Sequence, residues 1–311
     1  MFFSKLAKPR PHQPLMLTRL AFITTLFVAS IPHVLAQAPP SKTEAEQLQS
    51  ILNTRAASIV TVRVIFEIEA RGTKREFRRD LLGTIVDASG LIMVANHDIN
   101  PEFPADPRMG PIKITPVSLK IVLGKETKEH ESFIAAKDTK YGLAFVQMKE
   151  PGDAKLSPIK FDAKRELVMG QEIVSVGRMG RGYDYAPYCT LARISGSIKK
   201  PRKAMISAGE ILAALPCFTM DGRVAGVHVP IKSGDESGGL GGPVRTPLFL
   251  IEPKIVGGEI KQSLKQAATM LEDQKKEAAE EQKNKFAPKV DPEKKAAKKV
   301  KEKVEGTEGG R

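Results

Sequence analysis

The chain has 311 residues, 41% of them hydrophobic and 27% charged, and no Trp. That is enough apolar material for one large or two small cores, and it excludes a wholly disordered protein. A net charge of +13 points first toward nucleic acid or a membrane surface, whereas two cysteines, Cys189 and Cys217, exclude a disulfide scaffold or a zinc cage and leave open one bridge or two buried thiols.

Residues 1–36 read as a secretory signal peptide. Lys5, Lys8, Arg10 and Arg19 precede or border an apolar run over 20–31, with no acid among them, and Val34-Leu35-Ala36 offers a cleavage site before Gln37. The run is short for the roughly 20 residues of a bilayer span, and Pro32 and His33 interrupt it. The expectation is an exported chain, periplasmic or extracellular, with no transmembrane segment once mature. Ser41-Lys42-Thr43-Glu44 is a capping box, and Leu48, Ile51 and Leu52 recur at helical spacing, which predicts a helix over 43–55. The period then changes to two. Residues 58–68 read as a strand ending in the turn Ala70-Arg71-Gly72-Thr73.

Further short strands are predicted near 80–87, 91–95, 118–123, 131–136 and 143–148. After the polar, Pro-containing stretch 149–165, others follow near 167–176, 188–194, 204–207, 215–220, 223–229 and 248–251, with Asp87-Ala88-Ser89-Gly90 and Asp221-Gly222 as turns. This is an all-β pattern of two six-stranded antiparallel β-barrels in tandem with short flanking helices, barrel one over about 56–150 and barrel two over about 165–252. A closing helix is predicted over about 257–271, its apolar positions at 260, 264, 267 and 271, and completes a domain spanning 37–271. Residues 272–311 hold 12 Lys/Arg and 10 Asp/Glu and cannot bury a core. They read as a solvated helix over 272–285 followed by a mixed-charge tail.

The segment from Gly83 through Asp87-Ala88-Ser89-Gly90 to Ala95-Asn96-His97 resembles the first-barrel signature of trypsin-like (chymotrypsin-fold) serine proteases of the HtrA/Deg type, protease domain only. The resemblance continues through 57–62, Val174-Ser175-Val176-Gly177, the run Met220-Asp221-Gly222-Arg223-Val224-Ala225-Gly226-Val227 and the closing strand and helix from Leu248, and so covers nearly all of 45–270. It places His97 at the catalytic histidine. A serine nucleophile needs an imidazole within hydrogen-bond reach and a carboxylate that fixes the imidazole tautomer. The family's acid belongs to an Asp-x-x-x-Asp-Leu-Ala-Leu run. The matching Asp138-Thr139-Lys140-Tyr141-Gly142-Leu143-Ala144-Phe145 keeps the first acid and puts Gly142 at the catalytic one. Counting back from Asp221-Gly222 and Pro216 sets Ala213 at the serine, with Ala214 and Leu215 replacing the two glycines whose N–H groups line an oxyanion hole. The triad is degenerate, and loss of the nucleophile alone costs roughly a million-fold in turnover.

A competing nucleophile is Ser237 in Gly234-Asp235-Glu236-Ser237-Gly238-Gly239, but it follows the Asp221-Gly222 hairpin that should come after a nucleophile, so the run reads as a Gly-rich loop. Asp98 is expected to point away from His97, while His130 and His228 stand isolated on strand-like segments. Nothing has the spacing of a metal site or the motif of a cofactor or nucleic-acid binder.

With the signal peptide and tail set aside, about +7 remains on 37–271. It clusters at Lys74-Arg75-Glu76-Phe77-Arg78-Arg79 and Lys199-Lys200-Pro201-Arg202-Lys203. These read as exposed hairpin charges, with anionic cell-envelope polymers as a candidate partner. The N-terminal segment thus describes an exported protein, and the resemblance implies a protease homologue without peptidase activity that binds a peptide or protein in the inter-barrel cleft. The alternatives are an active serine endopeptidase using His97 and Ser237, and a structural envelope protein acting through its basic surface.

Overall fold

Helix α1 (Lys42–Arg55) opens the part of the chain that the computed structural model describes, namely residues 42–101, 112–126, 128–161, 166–200, 202–230 and 248–286. The proposed signal peptide, Ser237 and the end of the charged tail lie outside these residues. A 3-10 turn at Ala56–Ser58 leads into β1 (Ile59–Ala70), β2 (Thr73–Ile85) and β3 (Leu91–Ala95). A four-residue helix α2 (Asn96–Ile99) follows, then β4 (Lys113–Val122), β5 (Glu129–Asp138) and β6 (Leu143–Met148). These six strands close as β1-β2-β3-β6-β5-β4. The second set is β7 (Glu172–Arg178), β8 (Pro187–Ile198), β9 (Ala204–Gly209), β10 (Pro216–Thr219), β11 (Val224–Pro230) and β12 (Leu248–Ile251). It closes as β10-β11-β12-β9-β8-β7. All pairings are antiparallel. The tandem all-β barrel architecture expected from the period-two runs is the observed one.

Strand parity divides the core. On β3, Ile92 and Val94 join the interior of barrel one with Val60, Val62, Ile121 and Val146, while Leu91, Met93 and Ala95 face outward onto a second core. That second core is the seam between the barrels, where they meet Val174, Val176, Phe218, Val227 and Val229 of barrel two. Burial on both faces is why β3 reads as an uninterrupted apolar run. Ile173, Ala192, Ile194, Ala225 and Leu250 fill barrel two itself.

Several strands run a few residues longer than the sequence predicts, and the departures are largest in β2 and the closing helix. β2 starts at Thr73 rather than near 80, because the turn at Arg71 (φ 51°) and Gly72 (φ 73°) has the two positive φ values of a tight hairpin, and pairing with β1 carries the polar residues along. The closing helix and the solvated helix are one element, α3 (Pro253–Phe286). Val256, Ile260 and Ala267 are buried on the seam, with Leu264 and Leu271 packed against it. Among the described residues no helix is long and apolar enough to cross a membrane.

Candidate functional site

The seam brings together the segments that the resemblance singles out. His97 sits on α2 directly after β3. The Asn96 N–H donates to the Gly142 carbonyl at 2.9 Å, which continues the β3–β6 pairing of Ala95 with Leu143. Gly142 has φ +64° and abuts Pro230 at the end of β11: a Cβ built there would lie 3.0 Å from Pro230 Cγ and 3.3 Å from its Cδ. Two residues back on β11, the His228 carbonyl accepts from the Ala214 N–H at 2.8 Å. The segment after β3, the start of β6, the end of β11 and the turn before β10 therefore converge through direct contacts.

Among the described residues no carboxylate and hydroxyl join His97 as a triad. The His97 side chain is 56% exposed, and the charged group found beside its ring among the described residues is Asp98, 3.7 Å from Nε2. Asp98, expected to point away, instead lies near the imidazole, but that distance is beyond a hydrogen bond. Arg79 holds the same carboxylate at 2.8 Å. The place where an orienting acid would sit combines a left-handed backbone at Gly142 with a proline ring against it. A carboxylate there would require both strain and displacement of Pro230. Gly142→Asp is accordingly expected to cost about 2 kcal/mol of stability and to restore no peptide hydrolysis, which urea unfolding and a peptidase assay would check together.

At the turn before β10, Ala213 is half-buried and supplies no hydroxyl. Ala214, buried, keeps φ +56°. The turn thus holds a left-handed residue of the kind a glycine usually provides, and the Ala214 N–H is already committed to the His228 carbonyl. Ser237 lies outside the described residues.

Below this turn, barrel two contains a polar array that sequence reasoning missed. His228 is 1% exposed. Its Nδ1 lies 2.9 Å from Cys217 Sγ and its Nε2 2.9 Å from Ser207 Oγ, and Cys217 Sγ lies 3.2 Å from Ser175 Oγ. Burial pushes the imidazole down to about 4 and the thiol up to about 12, so at neutral pH the array is uncharged and the thiol is not a nucleophile. The alternation Val227-His228-Val229 carries a signal for it, since a residue between two seam valines must face the barrel interior.

The two cysteines do not bridge. Cys217 on β10 pairs with Ser175 of β7, and Cys189 on β8 pairs with the next β7 residue, Val176. They are two strand spacings apart, about 9–10 Å, and on opposite faces of the sheet, whereas a disulfide needs Cα atoms within about 7 Å. Both are free thiols.

The barrels are fastened beside the seam by arginines. Arg178 of β7 donates to the carbonyls of Ile59 and Ala56 at 2.6 Å each and of Tyr185 at 3.0 Å. Burial lowers its pKa. Arg63 of β1, 8% exposed, binds Asp80 at 3.0 Å, Glu129, and the Tyr185 hydroxyl at 3.2 Å. Two surface clefts of about 520 and 660 Å³ flank the β10–β11 turn at Met220 and Asp221. Neither is lined by His97, Gly142 or Ala213. Among the described residues no three His, Cys, Asp or Glu side chains gather as metal ligands would.

No protein-family model matches the chain, and no curated protein sequence matches it. The tandem closed barrels fit a trypsin-like fold on geometry alone.

Proposed function

We propose that this chain is an exported trypsin-like protein without peptidase activity, which binds a peptide or protein ligand between its barrels. One observation carries the reading: Gly142, at the position matched to the catalytic acid, is closed off by the Pro230 ring. A serine mechanism needs an imidazole fixed on one side by a carboxylate and hydrogen-bonded on the other to a hydroxyl. His97 has Asp98 near Nε2, the nitrogen that should face a nucleophile, and among the described residues no hydroxyl hydrogen-bonds its ring. The uncharged array beneath the turn supports a structural rather than catalytic role for His228.

Treatment of the protein with a fluorophosphonate probe tests this. No labelling above that of the His97→Ala and Ser237→Ala variants is expected. A label on Ser237 that disappears with His97→Ala would establish an active serine endopeptidase and overturn the proposal.

A further inference from the structure

The β1–β2 hairpin reaches past its barrel. β1 and β2 stay in unbroken register from Ile59 opposite Thr84 to Ala70 opposite Thr73, whereas β2 meets β3 only at Thr84 and Ile85. From Thr73 to Asp80 the outer edge of β2 therefore pairs with no described strand. Every second residue along such an edge turns its N–H and C=O outward. Folded proteins commonly blunt an open edge with a proline, a bulge or a short strand. β2 has 13 residues and no proline, and its pairing with β1 shows no bulge.

What guards the edge is charge of one predominant sign. Lys74, Arg75, Arg78 and Arg79 are all exposed, against Glu76 and Asp80. Asp80 is bound by Arg63, Lys74 pairs with Glu67 at 2.9 Å and Arg79 pairs with Asp98. Arg75 has no ion-pair partner among the described residues, and Arg78 reaches Asp80 only at 3.5 Å. Phe77 stacks on Phe66 with ring centroids 5.1 Å apart, which anchors the strand to β1 while its other edge meets no described strand. Pairing with a second copy along this edge would set like charges side by side. An extended segment rich in Asp or Glu meets both requirements at once, donating and accepting along the backbone and placing carboxylates beside Arg75 and Arg78.

We propose that the outer edge of β2 over Thr73–Asp80 docks an extended acidic protein segment as an added strand. The site is separate from the cleft between the barrels and stands whether or not the cleft binds a ligand.

The test uses the full chain and a fluorescent peptide of about ten residues with a Glu-Glu-Val-Val repeat, which as a strand presents carboxylates on both faces, where Arg75 and Arg78 lie, followed by anisotropy. Saturable binding is expected, with no binding of the Lys–Val counterpart. The double variant Arg75→Glu, Arg78→Glu should weaken binding by about tenfold, as two exposed ion pairs allow, while its thermal unfolding stays that of the parent. N-methylation of alternate peptide amides, which keeps the charge and removes backbone donors, should abolish binding. Absence of saturable binding would overturn the proposal. So would equal affinity for the N-methylated peptide, or polyphosphate binding as tightly as the peptide, since either would reduce the edge to a patch for any polyanion.

Discussion

Arg178→Met is expected to lower the free energy of unfolding by about 3 kcal/mol. The guanidinium satisfies three backbone carbonyls at once, those of Ala56 and Ile59 at the entrance to barrel one and that of Tyr185 in barrel two. Methionine fills much of the volume but donates nothing; the Ala56 carbonyl keeps the Ile59 N–H, and each of the other two left without a partner costs about 1 to 2 kcal/mol. Arg178→Lys should recover little, because one ammonium cannot reproduce a planar fork aimed at three separate oxygens. Urea unfolding is the measurement, with a fall in midpoint of about 1 M expected for a domain of this size. A loss below about 1 kcal/mol would show that solvent replaces the guanidinium and that the barrels do not depend on this clasp.

The second large effect is a dependence on pH. Burial lowers the His228 imidazole from its ordinary 6.5 to about 4 in the folded protein. The unfolded chain therefore binds a proton at a pH where the folded one does not, and stability falls as pH drops from 6.5 toward 4. The full contribution is about 3 kcal/mol, of which about 2 kcal/mol is lost by pH 5. Two paired carboxyls act lower in the range. At Asp80 burial opposes the shift but Arg63 outweighs it, and at Glu129 the Lys120 ammonium leads; both carboxyls are held below their ordinary values. Their stabilisation is lost as pH falls below about 4.5. Glu259, raised by burial, acts in the opposite sense above 4.5 and adds stability as pH falls, so the histidine is isolated by comparing parent and variant at pH 7 and pH 5. His228→Gln should be less stable at pH 7 and should lose most of the difference between the two pH values. An unchanged difference in the variant would assign the effect elsewhere.

The residues differ in how plainly they announced their places. β3 and β6 were legible because both faces are buried, so apolar runs bounded by Gly90 and Gly142 leave little choice of element. The first half of β2 was not, since Lys74 to Arg79 lacks apolar alternation and becomes a strand only through the tight turn and its pairing with β1. The continuity of α3 was hidden by the change from a packed stripe to solvated charge at residue 272, which alters burial without interrupting the backbone. At the site, motif spacing located His97, Gly142 and Ala213 along the chain. It gave no view of Pro230, which approaches Gly142 only after the second barrel closes. The bonding of His228 to Cys217 and Ser207 was equally invisible, because it joins three strands whose neighbours are fixed by barrel closure rather than by sequence order.

The single helix α3 has a mechanical and electrostatic consequence. Leu271 is the last of its side chains packed against the seam, and the helix continues to Phe286. At 1.5 Å per residue that continuation is about 22 Å long, more than two screening lengths at physiological salt, which are about 8 Å each. The last of α3, about four turns beyond the packed stripe, is therefore a spacer whose reach is set by its length rather than by packing against the seam.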